Sequence, residues 1–367
     1  MTPGRVRPAV QQLAAYRPGK GAKQAEAEHG ITNAIKLASN ENPYSPVPAV
    51  EAAIVAAVSG VNRYADHRAT ELRSKLADWL GVTAEQVAVG CGSVGLLQQL
   101  GLVYIDPGDE VVYPWLSFEA YPITVKEMGG VAVQVPLVDH RFDLDAIANA
   151  VTDRTKMILL ATPNNPTGTA LNTAELGTFL QRIPDDVIVL VDEAYREFAG
   201  EGVGDPVRDL IPHHQNVVVT RTFSKAYGLA GLRTGYAVAH PDIILELDKV
   251  LLAFSVNMLA QVGALAALDA LPDIQVRIDQ ILAERDRVVE TLATSGWQLP
   301  EVSANFVFIP LGARTDEVAL ELERRGVVVR PFSGAGIRVT IGSRDENERF
   351  LSNLTQLASP TESATDS

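Results

Sequence analysis

The chain has 367 residues, 47% hydrophobic and 21% charged, with 45 acidic against 31 basic side chains. This composition supports a large buried core, and the formal net charge of −14 argues against a nucleic-acid-binding surface. The single cysteine, Cys91, excludes an internal disulfide, and no apolar run reaches the roughly 18 residues a membrane span needs, so no membrane partner and a cytoplasmic setting are expected.

In chain order, residues 1–45 are rich in Pro, Gly and charge and read as an irregular arm ending in "IKLASNENPYSP". Helical patterns follow near 47–60 and 69–80, then a strand "VAVG" at 87–90 and a helix from about 93. Short apolar runs come at 110–113, 131–135, 156–161, 187–192 and 216–221, most of them separated by helix-length stretches. Such an alternation predicts an α/β fold, with a parallel sheet covered by helices on both faces. From about 268 a long helical stretch, "DIQVRIDQILAERDRVVETLATSG", leads into strands "NFVFIP", "VVVRPF" and "IRVTIG". The expected division is an arm over 1–45, a large domain over 46–265, a small α/β domain over 266–357, and a disordered tail over 358–367. Gly19 and Gly21 suit an arm that serves as a mobile lid.

Three inferred strands end in unusual polar residues. "KMILLATPNNPTG" ends around Asn165, "DVIVLVDEAY" in Asp192 with Tyr195 close behind, and "NVVVTRTFSK" in Lys225. Ligands of parallel α/β sheets bind beyond the carboxyl ends of the strands, so these groups are expected to converge. Pyridoxal phosphate fits the set. A desolvated lysine amine condenses with its aldehyde. An aspartate facing the pyridine nitrogen favours its protonated form, which makes the ring an electron sink. Asn165 and Tyr195 can donate to the ring's phenolate oxygen. For the phosphate, "GCGSVG" sets Gly92 and Ser93 at a helix start, where backbone N–H groups favour an anion. Thr222, Ser224 and Arg233, in "TRTFSKAYGLAGLRTGY", complete that cradle. Each motif alone is an ordinary turn or surface charge, and it is the ordered set that carries information.

The run "GCGS…ATPNNPTG…VDEAY…RTFSKAYGLAGLRTGY…NFVF…TIG" resembles the fold-type I, pyridoxal-phosphate-dependent aminotransferases of the histidinol-phosphate aminotransferase subfamily. The resemblance spans nearly the whole chain. It implies a homodimer with shared active sites, a mostly parallel seven-stranded sheet in the large domain, and a small domain built from both chain ends. It makes Lys225 the cofactor-bonding catalytic lysine, Asp192 the pyridine-nitrogen partner, and Asn165 and Tyr195 the phenolate partners. Gly92, Ser93, Thr222, Ser224 and Arg233 match phosphate-binding positions, and Tyr64 matches a tyrosine that reaches the neighbouring subunit's cofactor. Phe118 falls where an aromatic ring stacks on the pyridine, with Trp115 in competition. Arg338 matches the arginine that holds the donor's α-carboxylate, and Arg330, Tyr16 and Asn40 match further substrate contacts. No metal is implied.

Two departures bear on the substrate. The phosphate loop reads "GCGSVG" where histidinol-phosphate enzymes commonly carry two acids, and "YPWLSFEAYP" is richer in aromatics than the usual pattern. Both features resemble the actinobacterial aromatic amino acid (phenylalanine) aminotransferase branch. An apolar cleft contributes roughly 1.5–3 kcal/mol for a buried ring, enough to bias the choice of donor. Transfer from phenylalanine, tyrosine or tryptophan to 2-oxoglutarate is therefore expected. Histidinol-phosphate transamination is the alternative, and a decarboxylase of the same fold a remote one.

Overall fold

The computed structural model describes residues 4–11, 13–15, 19–358 and 360. Tyr16, and the disorder expected of the tail beyond Pro360, lie outside the described residues. Twelve strands occur among those described. In chain order they are β1 (Ile35–Lys36), β2 (Val87–Gly90), β3 (Glu110–Trp115), β4 (Val131–Pro136), β5 (Thr155–Ala161) and β6 (Ile188–Asp192). They continue as β7 (Val217–Thr222), β8 (Gly235–Val238), β9 (Phe306–Pro310), β10 (Val327–Val328), β11 (Arg330–Phe332) and β12 (Gly336–Thr340).

Seven of them form the central sheet, in the order β2-β8-β7-β6-β5-β3-β4. The pairs from β7 through β4 are all parallel, whereas β8 runs antiparallel to both β7 and β2. Successive side chains of a strand point to opposite faces, and here both faces are buried for every strand but the edge strand β4, which is partly exposed. Met157, Leu159 and Ala161 of β5 join one apolar cluster, with Leu96, Leu100, Tyr121 and Ile244 from helices Gly92–Tyr104, Ala120–Met128 and Pro241–Lys249. Ile158 and Leu160 join the other, with Leu72, Leu176 and Ile278 from helices Thr70–Leu80, Thr173–Leu180 and Leu271–Thr294. This two-sided burial explains why the strands read as unbroken apolar runs.

The expected helices near 47–60, 69–80 and 93 onward are found at Pro48–Ala57, Thr70–Leu80 and Gly92–Tyr104. Two features differ from the expectation. The run "VVVRPF", read as one strand, is two: β10 pairs in parallel with β1 of the N-terminal arm, and β11 pairs antiparallel with β12. The arm, read as irregular, contains helix Ala22–His29 as well as β1. β9, β12 and β11 form a separate three-stranded sheet, which sets Arg330 directly opposite Arg338.

Candidate active site

Because β5, β6 and β7 are adjacent and parallel, their carboxyl ends open on one edge of the sheet. β2 reaches that edge from the other side of β8, since Gly235 of β8 is the register partner of both Gly90 and Thr222. Helix Gly92–Tyr104 therefore starts beside the ends of β5–β7. The approach is close. A Cβ on Gly235 would lie 2.5 Å from the Ser93 nitrogen, 2.8 Å from the Gly92 carbonyl carbon and 2.9 Å from the Arg221 oxygen, all backbone atoms. Only glycine lets the helix start sit this low over the sheet.

A cavity of about 190 Å³ opens at this edge. Its lining brings together Ser93, Phe118, Asn165, Asp192 and Tyr195 with Thr222, Ser224, Lys225 and Arg233. Gly92 lies beside it, at φ +72°, and a Cβ there would fall 2.5 Å from Arg233 Nη2. At the anion end, Ser224 Oγ accepts from Thr222 Oγ1 at 3.0 Å and from Arg233 Nη1 at 3.3 Å. A helix start, two hydroxyls and a guanidinium thus face one small volume, the donor set that a phosphate monoester needs.

Asp192 closes the floor. Its Oδ2 accepts from the Tyr121 hydroxyl at 3.2 Å, while Oδ1 is buried with no hydrogen-bond partner among the described residues. Burial pushes its pKa up to about 6, against hydrogen bonds that act the other way. An orphaned buried carboxylate oxygen costs free energy unless a donor meets it, and a protonated pyridine nitrogen is such a donor. Lys225 lines the same cavity and donates from Nζ to the Ser39 carbonyl at 3.0 Å. Burial, and then the nearby Arg338 guanidinium, lower its pKa to about 7. The residues present fit pyridoxal phosphate at every functional group.

Arg338 is buried on β12, with Nη1 donating to Asn165 Oδ1 at 2.5 Å and Nη2 to the Ala38 carbonyl at 2.6 Å. Asn40 donates to the Tyr195 hydroxyl at 3.0 Å and accepts from Thr340 Oγ1 at 3.1 Å. Both therefore adjoin the cavity. Phe118 lines it, whereas Trp115 lines a neighbouring cleft. Arg330 is not among the lining residues, and it forks onto both carboxylate oxygens of Glu119 at 2.6 and 2.7 Å. Tyr64 is 82% exposed and stacks on Phe254 at 4.4 Å, outside the cavity of its own chain.

The sequence reading passed over Tyr121 and Glu119. Tyr121 is fully buried and bonds a carboxylate 71 positions away, so nothing local distinguishes it from a core aromatic. Ser39 was likewise invisible, because its contribution to Lys225 is a backbone carbonyl.

A family model for aminotransferases of class I and II matches residues 32–354. An aromatic amino acid aminotransferase of Mycobacteroides abscessus is 48% identical over 349 residues, covering 95% of this chain and 98% of that protein. One from Mycolicibacterium vanbaalenii is 46% identical over 347 residues, covering 95% and 96%. Among solved structures, histidinol-phosphate aminotransferase from Sinorhizobium meliloti, in complex with pyridoxal-5'-phosphate, superposes with a TM-score of 0.89 at 30% identity, covering 96% of this chain and 97% of that one. The expected fold, α/β with a mostly parallel seven-stranded sheet, is the one observed. With the match running through the cavity-lining strands and into the C-terminal helix, the chain belongs to the class I and II aminotransferases.

Proposed function

We propose that the protein transfers the amino group of an aromatic amino acid to 2-oxoglutarate, with pyridoxal phosphate as its cofactor. The observation that carries the cofactor is the cavity in which a lysine amine, a half-satisfied buried carboxylate and an anion cradle face one another. The aromatic donor is supported by relatives of that name at 46–48% identity along nearly their whole length.

Lys225 would hold the cofactor's aldehyde carbon through Nζ, and the unpaired Oδ1 of Asp192 would hold its ring nitrogen. Asn165 and Tyr195 would hold the phenolate oxygen, and Phe118 would cover the ring. Ser93 and the turn at Gly92, with Thr222, Ser224 and Arg233, would hold the phosphate. When bound, the cofactor supplies a conjugated ring that takes up the electron pair left at the donor's α-carbon. Arg338 fixes the donor's carboxylate, exchanging its present contacts for a fork of the same geometry. Lys225, once released, takes the α-proton on Nζ. A pKa near 7 leaves about half of that amine unprotonated at neutral pH, against almost none for an ordinary lysine, so it can act as a base.

The exposed Tyr64 stack, with Leu252 73% and Val61 59% exposed, supports a homodimer in which a second copy covers this face. In that arrangement Tyr64 serves the partner's cofactor. Pairing of β1 with β10 supports a small domain over 266–357 that the arm 1–45 completes, beside a large domain over 46–265. The lone cysteine supports a reducing, cytoplasmic setting.

Histidinol phosphate as donor is the second reading, and the Sinorhizobium meliloti neighbour favours it. A donor panel with 2-oxoglutarate decides between them. The expected result is a higher kcat/KM for phenylalanine than for histidinol phosphate, and a preference for the phosphorylated donor would overturn the aromatic assignment.

A further inference from the structure

Near the cofactor cavity, with Phe118 lining the one and its chain neighbour Glu119 the other, lies a second cleft of about 640 Å³. Its apolar wall is made by Leu13 of the arm, Trp115 at the end of β3 and Ile123 of helix Ala120–Met128. Arg330 reaches it from β11. As the register partner of Arg338, it projects from the same face of that sheet, with Cβ atoms about 5 Å apart. A donor whose carboxylate lies on Arg338 thus has Arg330 as its neighbouring cation.

That cation is already engaged. Glu119 sits at the start of helix Ala120–Met128, immediately after Phe118, where a carboxylate is favoured by the helix dipole. Its oxygens accept from Arg330 Nη2 at 2.6 and 2.7 Å and from Nε at 3.1 Å. The Arg330 side chain is 14% exposed and that of Glu119 35%, so the pair is partly withdrawn from water. The charges lining the cleft balance: Glu119 and Asp316 against Lys126 and Arg330.

We infer that Glu119 sets the donor class by occupying Arg330. The pairing takes from the cleft the guanidinium that a phosphate or carboxylate side chain would seek, and it leaves the apolar wall of Leu13, Trp115 and Ile123 for an aromatic ring, in a cleft whose lining charges cancel. Glu119 acts through Arg330 and not on the reacting atoms, so it is a specificity residue of the positioning kind. A dianionic side chain would have to break a formed ion pair and then lie beside the released carboxylate, which penalises it twice. This inference rests on the aromatic-donor reading and names the feature that enforces it.

Glu119→Gln keeps the shape and removes the charge, which breaks the ion pair with Arg330. With the enzyme loaded with pyridoxal phosphate, the ratio of kcat/KM for histidinol phosphate to that for phenylalanine should rise by about tenfold or more. The change should lie in KM for the phosphorylated donor, with its kcat altered little. The double variant Glu119→Gln/Arg330→Gln should lose the gain, and Glu119→Asp should retain the parental ratio. Binding provides a readout that needs no turnover. Trp115 fluorescence should report tighter binding of 3-phosphonopropanoate to Glu119→Gln, by about tenfold, with 3-phenylpropanoate affected less. An unchanged ratio and unchanged phosphonate affinity, or a gain that persists in the double variant, overturns the role of Glu119. Failure of the underlying reading looks different: the unaltered protein would not transaminate phenylalanine, and the phosphonate titration would still judge Glu119.

Discussion

Lys225 holds its proton weakly, since burial and the Arg338 charge both oppose the ammonium form and bring its pKa to about 7. Condensation with an aldehyde needs the free amine, which dominates above that pH. In the cofactor-free protein, the rate of pyridoxal phosphate capture should therefore rise about tenfold from pH 6 to pH 8 and then level off, as followed by stopped-flow absorbance. Arg338→Gln removes a cation, so the midpoint should move to higher pH, and Lys225→Ala should abolish the borohydride-trapped adduct. A rate flat from pH 6 to 8 would contradict the lowered pKa. Asp192 works in the opposite sense. Its folded pKa of about 6 stands above the ordinary 3.8, so the native state keeps a proton that the unfolded chain has lost. Stability contributed by this group falls as pH rises through that window, and the cost is complete above about pH 6, at roughly 3 kcal/mol as an upper bound. Asp192→Asn should accordingly raise the Tm of the cofactor-free protein by a few degrees at pH 8 and hardly at all near pH 4, by scanning fluorimetry. With cofactor present the same change should cut turnover at least about a hundredfold, since in the proposed arrangement the ring nitrogen would lose its anionic partner. The polar strand ends were legible as residues because Lys225, Asp192 and Asn165 interrupt apolar runs. Tyr121 and Glu119 were not, since their meaning lies in partners 71 and 211 positions away.

Among the elements, the contact of β8 with the start of helix Gly92–Tyr104 decides the anion cradle. Gly235→Ala would press a methyl group against three backbone atoms, none of which can rotate away. We expect it to destabilise the protein by about 1–3 kcal/mol and to weaken cofactor affinity, measured by denaturation and by equilibrium dialysis. Gly231→Ala has nothing within 4 Å of the added carbon and serves as the neutral control. A wild-type affinity in Gly235→Ala would mean that the helix start does not grip the phosphate. β8 itself escaped the sequence reading. It is four residues, "GYAV", opening on a glycine and following the loop of polar and small residues that carries Arg233. The splitting of "VVVRPF" was hidden for a related reason: apolar character records burial, but not which neighbouring strand supplies the hydrogen bonds.

For the whole molecule, the placement of Tyr64 is the consequential feature. At 82% exposed, stacked on Phe254 and away from its own cavity, it has a role in the chemistry only if another copy brings it there. In the proposed dimer, Lys225→Ala and Tyr64→Ala would alter different subunits' contributions to one site. Mixed after co-refolding, the two should therefore yield hybrids with one intact site and more activity than the sum of the parents. Sedimentation should show a dimer. A fully active monomer would remove Tyr64 from the mechanism.

The local chemistry was fixed in the one-dimensional pattern. Apolar runs of strand length alternating with helices led to a two-sided sheet, and the polar residues ending those runs pointed to the cavity proposed to hold the cofactor, because strand ends share an edge whenever the strands run parallel. Only the tertiary structure decided what lies between distant segments: the orphaned oxygen on Asp192, the neutralisation of Arg330 by Glu119, and the passage of the arm into pairing with β10. Hydrogen bonds and ion pairs act over about 3 Å, and the residues that make them here are joined by tens to hundreds of intervening positions. No periodicity in the chain records such a meeting; the packed core enforces it.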